Sequence, residues 1–246
     1  MHPILFKAFG QNISSWGAMV FIGLIGSLIV ALILSKREGI EREDVFALFG
    51  CLIFFGLVGG RLFYVIANPR QFLSDPLMIF AFSYGGFGNY GAAIFSSVSG
   101  LIYARHFRLS ILKIFDMAFP GIMLCYSIAK LGCLLNGCCF GVGCSLPFGV
   151  LFAGVAGARH PTQIYSSLLA FLIFTVLVFV SSRKRWDGQV FLLGGSLFVI
   201  HRFALGFLID EPRVFLGLSS SQLISGLFLA VAVSIYLFLF IRKRAG

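Results

Sequence analysis

Long apolar runs separated by short polar segments make up almost the whole chain. An α-helix needs about 20 apolar residues to cross the hydrocarbon core of a bilayer, and the runs have about this length. The pattern predicts about seven membrane spans, at residues 16–35, 45–66, 78–104, 114–135, 163–181, 189–208 and 221–241. We therefore predict an all-α integral membrane protein in which residues 1–246 form a single polytopic membrane domain.

Glycines interrupt the third run, in the segment SYGGFGNYGAA at residues 83–93. Non-helical backbone is tolerated at membrane depth where it faces protein or a cavity. Small residues also allow two helices to pack closely. Close packing explains the glycines but leaves the Asn89-Tyr90 pair among them unexplained, so both interpretations stay open.

Composition supports a membrane protein and argues against a soluble domain. The chain is 59% hydrophobic and only 11% charged, and its mean hydropathy is +0.99. The N-terminus lacks the basic region and small-residue cleavage site of a secretory signal peptide, so we expect the first span to stay in the membrane.

The net charge of +10 is concentrated in alternate loops rather than on one face. Three basic residues follow each of the first, third, fifth and seventh spans: Lys36, Arg37, Arg42; Arg105, Arg108, Lys113; Arg183, Lys184, Arg185; Arg242, Lys243, Arg244. Each alternate loop carries one basic residue. This distribution follows the positive-inside rule and predicts an outer N-terminus and a cytoplasmic C-terminus. It gives no basis for a nucleic-acid partner.

Arg61, Lys130 and Arg202 lie within apolar runs that have no Asp or Glu in their interior. A cation at membrane depth costs roughly 2.5 to 3.5 kcal/mol on insertion scales. Cations without acidic partners need an anion from elsewhere, and the abundant anion of a bilayer is the phospholipid headgroup. The pattern predicts a lipid phosphate held between helices, with the three cations sharing one cavity in the outer half of the bilayer.

Several motifs resemble, in order and spacing, the prolipoprotein diacylglyceryl transferases of the bacterial inner membrane. The similarity covers nearly the whole chain and is carried by MHPILF at the N-terminus, GGRLFYV at 59–65, GGFGNYGAAI at 85–94, KLGCLLNGCCFG at 130–141, RHPTQIY at 159–165, RF at 202–203 and GLSSSQLIS at 217–225. The resemblance implies an enzyme of the bacterial cytoplasmic membrane that moves the diacylglyceryl group of phosphatidylglycerol, or another anionic phospholipid, to a cysteine thiol of a preprolipoprotein. Glycerol phosphate would be released.

The matched blocks give the candidate site. Arginine binds phosphate through a planar fork, and a thiol attacks only as its thiolate. We predict substrate binding by Arg61, Lys130, Asn136, Gly141, Arg159, Gln163 and Tyr165. We predict catalytic roles for Tyr90, His201 and Arg202. We also expect Asp210 and Glu211 to pair with Arg213, and His160 to have either a site role or a turn role.

The chain departs from the family pattern at several positions. Tyr90 stands where the family has its histidine, and it can act as a base only if nearby cations stabilise the phenolate. A further imidazole, His201, could supply the base instead, although a buried neutral histidine bonded to a backbone carbonyl is the more common case. Other family residues are replaced by Trp16, Lys130, Cys133, Cys138, Phe198 and Gly206.

Four cysteines fall within twelve residues, at positions 133, 138, 139 and 144. They could be small core residues, form a disulfide in an oxidising outer compartment, or include a reactive thiol beside Lys130. A metal site is disfavoured because C-x4-C-C-x4-C is not a standard zinc spacing. We therefore predict no metal and no cofactor.

Two other functions compete with the diacylglyceryl transfer. The first is a related phospholipid-dependent transferase with a different acceptor. The second is a non-catalytic lipid-binding or redox membrane protein with the same fold. The substitutions at Tyr90, Cys138 and Gly206 argue against transfer to a lipoprotein cysteine. The retained Arg61, Asn136, RHPTQIY and Arg202 argue against the non-catalytic protein, so the two transferases are favoured together.

Overall fold

A computed structural model of the chain describes residues 2–8, 11–73, 78–79 and 88–245. Its helices are α1 (Ser15–Glu38), α2 (Arg42–Ala67), α3 (Pro69–Leu73), α4 (Asn89–His106), α5 (Ile111–Asn136), α6 (Thr162–Ser181), α7 (Gln189–Leu205) and α8 (Ser220–Ala245). Three antiparallel hairpins are formed by β1 (Ile4–Ala8) and β2 (Gln11–Ser14), β3 (Val150–Leu151) and β4 (Ala158–Arg159), and β5 (Arg213–Phe215) and β6 (Leu218–Ser219).

Four of the described helices, α1, α2, α5 and α6, are long and apolar enough to cross a membrane. They confirm helices at the predicted first, second, fourth and fifth spans, with the length and composition that a span needs. Helix α7 is apolar but has only 17 residues. A total of seven spans and the orientation of the termini stay predictions. Residues 83–87 of the glycine-rich segment lie outside the described residues.

The chain divides into two compact units, 1–34 with 115–246 and 35–114. We call these the large and the small unit. The prediction of a single membrane domain is not tested by this division.

In the small unit, α2 and α4 approach each other through glycines. A Cβ added at Gly91 would lie 2.3 Å from the carbonyl oxygen of Gly59, and one at Gly59 would lie 2.6 Å from that of Gly91. The backbone N–H of Gly88 donates to the carbonyl of Gly60 at 2.9 Å. Close packing through small residues, one of the two interpretations of these glycines, is confirmed for this helix pair.

In the large unit, a buried carboxylate joins α5 to the start of α7. Asp116 accepts hydrogen bonds from the backbone N–H groups of Gly188 at 2.7 Å and Phe191 at 2.9 Å, and from Lys184 Nζ at 3.1 Å. The free N–H groups of a helix N-terminus favour an anion at this position. An apolar cluster of Met123, Ile173, Leu177 and Val190 packs α5, α6 and α7 together. These contacts fix α5 and α7, which carry Lys130, Asn136, His201 and Arg202 of the candidate site.

Candidate functional site

Lys130 and Arg202, two of the three predicted intramembrane cations, belong to the large unit. Lys130 lies one turn after Tyr126 on α5, and its Nζ is 5.3 Å from the centre of the Tyr126 ring. The same ring contacts His201 of α7, with 6.1 Å between the ring centres. The sequence alone does not single out Tyr126, although its i, i+4 spacing from Lys130 places the two side chains on one helix face.

Three polar side chains of the large unit have buried atoms without a hydrogen-bond partner among the described residues. They are the hydroxyl of Tyr126, Oε1 of Gln163 and both ring nitrogens of His201. Gln163 is fully buried and His201 is only 5% exposed. Among the described residues, His201 therefore lacks the hydrogen bond to a backbone carbonyl that we expected. Buried polar groups normally make hydrogen bonds, because a buried donor or acceptor without a partner costs about 1 to 3 kcal/mol. The arrangement suits a polar ligand.

The RHPTQIY block holds the loop that follows α5. Thr162 Oγ1 donates to the carbonyl of Cys139, and Gln163 Nε2 donates to the carbonyl of Cys138, both at 2.7 Å. The backbone N–H of Gly141 donates to the carbonyl of His160 at 2.9 Å. A Cβ at Gly141 would lie 2.3 Å from the carbonyl oxygen of Leu208, so only glycine fits here. In this structure Gly141 and the amide nitrogen of Gln163 shape the loop.

The end of α5 brings three thiols together. The N–H of Gly137 donates to the carbonyl of Leu134, and the N–H of Cys138 donates to that of Cys133, both at 3.1 Å. Gly137 has a φ of 75°. These are the bonds and the left-handed glycine of a Schellman turn, which folds the chain back on the last helical turn. As a result, the Sγ atoms of Cys133, Cys138 and Cys139 all lie within 4.8 Å of one another.

All six cysteines are free thiols, and Cys144 is buried outside the cluster of three. The pKa of Cys139 is lowered to about 5, first by the hydrogen bond from Cys133 and then by the charges of Lys130 and Arg202, against the opposing effect of burial. Burial raises the pKa of Cys138. Cys139 is exposed, so its thiolate is accessible. The side-chain amide of Asn136 donates to Cys138 Sγ at 3.8 Å.

The predicted pairing of Asp210 and Glu211 with Arg213 is wrong. Asp210 pairs with Arg159 at 3.2 Å, and Glu211 lies 4.0 Å from Arg202. The reason is a long-range contact that the sequence does not reveal: the 208–211 segment runs beside 141–143, which in turn pairs with β4. Arg202 therefore has an acidic neighbour, contrary to the expectation that it lacks one. Both pairs are partly exposed, so each contributes at most about 1 kcal/mol.

Arg213 instead contributes to a hydrogen-bond network around the buried side chain of Gln222. Its Nη1 donates to Gln222 Oε1 at 2.8 Å and to the carbonyl of Gly206 at 3.1 Å. A Cβ at Gly206 would lie 2.4 Å from Cγ of Gln222. The Gln222 side chain thus fills the space beside the position where the family pattern has a glutamate. The hydroxyl of Tyr165 lies 3.4 Å from Nδ1 of His160, which gives both a local partner.

Arg61 and Tyr90 belong to the small unit. The guanidinium of Arg61 is buried and donates to the backbone carbonyls of Met78 at 2.5 Å and Ile79 at 2.9 Å. Tyr90 lies in the first turn of α4, is 76% exposed and contacts the ring of Phe63. Convergence of Arg61 with Lys130 and Arg202 on one cavity stays a prediction.

Four described helices that are long and apolar enough to cross a bilayer define the class of the chain, a multi-pass membrane protein. The family model of prolipoprotein diacylglyceryl transferase matches residues 3–238. The chain therefore belongs to the prolipoprotein diacylglyceryl transferase family.

Relatives of the same kind are similar to the chain over almost their full length. A phosphatidylglycerol–prolipoprotein diacylglyceryl transferase of Clostridium tetani is 32% identical over 244 residues, which cover 97% of each chain. One of Clostridioides difficile is 30% identical over 225 residues, covering 92% of this chain and 90% of the relative.

Proposed function

We propose that this chain transfers the diacylglyceryl group of phosphatidylglycerol to a cysteine thiol of a preprolipoprotein in the bacterial cytoplasmic membrane, releasing glycerol phosphate. The observation that carries the proposal is the set of orphaned polar atoms on Tyr126 and His201, whose rings contact each other beside Lys130. An anionic phosphodiester with adjacent glycerol hydroxyls offers the charge and the hydrogen-bonding groups that this set lacks.

In the proposed reaction, Lys130 and Arg202 hold the phosphate, with Arg159 as a further phosphate ligand. Phosphate binding by Arg61 of the small unit stays a prediction. The acceptor sulfur attacks the glycerol carbon next to the phosphate oxygen. A carbon–sulfur bond forms, the carbon–oxygen bond breaks, and its electron pair leaves with glycerol phosphate. Cations placed where this negative charge develops stabilise the transition state more than the ground state.

The acceptor thiol must lose its proton, and His201 is the proposed base. A neutral imidazole has one nitrogen that accepts a proton and one that donates. Both ring nitrogens of His201 lack partners among the described residues, so either can face a substrate. We further propose that Asn136, Gln163 and Tyr165 bind glycerol or phosphate oxygens, while Gly141 keeps the loop close to α6.

Complementation tests the proposed function in cells. Bacteria depleted of their own diacylglyceryl transferase are expected to grow and to lipidate their lipoproteins when they express this chain. The matched control is the same chain with Arg202→Gln at equal expression, which is expected to fail. Loss of growth with the parent chain, despite its correct insertion in the membrane, would contradict the proposal.

Substitutions of Tyr90, which stands at the position of the family histidine, distinguish a hydrogen-bond donor from a catalytic base. If Tyr90 only donates a hydrogen bond to the lipid, Tyr90→Phe is expected to raise the barrier by about 1 to 2 kcal/mol. If it is the base, transfer should fall about a hundredfold or more, and Tyr90→His should be tolerated. Because His201 is our proposed base, we expect the smaller effect. Full activity of Tyr90→Ala would exclude both roles.

The proposed topology can be tested separately from activity. The basic clusters predict that the loop at 182–188 is cytoplasmic and the loop at 137–161 is on the outer side. Cysteine-accessibility labelling in intact cells, on a background with the native cysteines replaced, should label only the second loop. Labelling of the 182–188 loop from outside would overturn the orientation.

A further inference from the structure

Three thiols at the end of α5 form a group that the proposed transfer does not use. The Sγ atoms of Cys133, Cys138 and Cys139 lie within 4.8 Å of one another, and those of Cys138 and Cys139 are 3.8 Å apart. A tetrahedral zinc ion with Zn–S bonds of about 2.3 Å holds its sulfur ligands about 3.8 Å apart. The pair already has this separation.

The spacing of these cysteines is unlike that of a standard zinc motif, and the fold supplies the reason that they nevertheless converge. The Schellman turn at Gly137 returns Cys138 to the helical turn that carries Cys133. Thr162 and Gln163 then hold the carbonyls of Cys139 and Cys138. Because two hydrogen bonds from α6 fix the loop, the three thiols are positioned before any ligand arrives.

A metal ion can bind all three thiols, whereas a disulfide joins only two and leaves the third unused. The group of three therefore favours a metal over a disulfide. Zinc prefers four ligands, and sites with three protein ligands keep the fourth position for water or substrate. Cys133 is buried, Cys138 is half-buried and Cys139 is exposed. The open position of a bound ion would therefore lie on the accessible side, next to Cys139.

We propose that Cys133, Cys138 and Cys139 bind one zinc ion whose open position takes the acceptor thiol of the transfer reaction. This inference rests on the proposed function. Zinc with three thiolates carries a net charge of −1, and an added thiolate makes it −2. Lys130 lies one helical turn before Cys133 on α5, and its positive charge can offset part of that negative charge.

The chemistry balances without an oxidant or a reductant. The acceptor thiol displaces water from zinc, a zinc–sulfur bond forms, and the proton goes to His201, the base of the proposed function. A thiol that coordinates a metal ion is deprotonated. The sulfur then attacks the glycerol carbon of the lipid, and glycerol phosphate leaves with the electron pair of the broken carbon–oxygen bond. The thioether that results has no negative charge and is released from zinc.

Metal binding can be measured on the full chain purified in detergent, reduced, stripped with a chelator and reloaded with zinc. We expect one zinc ion per chain, and its loss in each of Cys133→Ser, Cys138→Ser and Cys139→Ser. Cys144→Ser, the same change in the same loop but outside the cluster, should keep the ion, as should Cys51→Ser on α2. If the serine variants of Cys133, Cys138 and Cys139 all retained zinc, the proposed site would be wrong. The same conclusion would follow from a failure of the reduced parent protein to bind zinc, or from an intact mass showing that a disulfide forms instead.

The open position is tested on the unmutated protein, so the result does not depend on whether a variant folds. Cobalt(II) in place of zinc gives thiolate-to-metal absorption bands that report the number of sulfur ligands. A short cysteine-containing peptide is expected to strengthen these bands, and the same peptide with serine is not. An unchanged spectrum with the cysteine peptide would overturn the proposed fourth ligand.

Activity separates this inference from the proposed function. Removing zinc should lower diacylglyceryl transfer about a hundredfold, and adding zinc back should restore it. Unchanged transfer by the metal-free protein would overturn the role of zinc and leave the proposed function intact. Zinc binding with the expected peptide response, but without any transfer from phosphatidylglycerol, would contradict the proposed function and support the metal site.

Discussion

Arg202→Gln is expected to lower diacylglyceryl transfer by about two to three orders of magnitude, because the loss of one preorganised charge at a developing anion typically has this effect. Glutamine keeps much of the side chain's length and its hydrogen-bonding ability but removes the positive charge. Arg202→Lys keeps the charge and loses the planar fork that binds phosphate through two bonds. The transfer rate of Arg202→Lys should therefore lie between those of the parent protein and Arg202→Gln. Initial rates with phosphatidylglycerol and an acceptor peptide give the measurement.

Arg183→Gln is the matched control for Arg202→Gln. Arg183 is also an arginine of the large unit, but it stacks on Phe179 at the end of α6, with 4.0 Å between the guanidinium carbon and the ring centre. Its loss should leave the rate within about twofold, as expected for an exposed contact. An equal loss of transfer rate in the two variants would show that the rate depends on the total positive charge of the protein and not on the position of Arg202. Full activity of Arg202→Gln would remove this residue from the mechanism.

Asp116→Asn is expected to destabilise the protein by about 3 kcal/mol, because it removes a buried negative charge from three hydrogen-bond donors. Two of those donors are N–H groups at the start of α7, and the third is Lys184. An asparagine amide can turn only one acceptor oxygen toward them. Thermal unfolding in detergent, followed by the loss of the monodisperse peak, measures the change.

Asp187 provides an unusually close control, since it also pairs with Lys184, at 3.2 Å, but its side chain is 42% exposed. Asp187→Asn should cost less than about 1 kcal/mol, as surface ion pairs do. The stability account would be contradicted if both substitutions had the same effect. Because Asp116 fixes the relation of α5 to α7, its replacement should also reduce transfer, although it lies far along the helices from Lys130 and Arg202.

Much of the helical framework follows from hydropathy, and the reason is physical. Each of α1, α2, α5 and α6 must satisfy its backbone hydrogen bonds internally and present apolar side chains, so its sequence alone predicts it. The structure of the interrupted third run is harder to predict, because its glycines allow α4 to pack closely against α2 and do not stabilise a helix. That contact depends on two segments at once.

The candidate site could be predicted only in part. Lys130 and Arg202 are conspicuous because cations are rare in apolar runs. The partners of Asp210 and Glu211 are set by a bridge between distant segments, at Gly141 and Ile209, which no local pattern contains. Similarly, counting residues between cysteines assumes a regular chain path, whereas the Schellman turn at Gly137 shortens the path between Cys133 and Cys138.

The most direct test of the proposed function uses the purified protein in detergent with phosphatidylglycerol and a peptide that contains a single cysteine. Mass spectrometry of the peptide and detection of glycerol phosphate follow both products of the same reaction. We expect the peptide to gain one diacylglyceryl group through a thioether, with an equal amount of glycerol phosphate, and the matching serine peptide to stay unmodified. An unmodified cysteine peptide, or release of glycerol phosphate without transfer, would contradict the account.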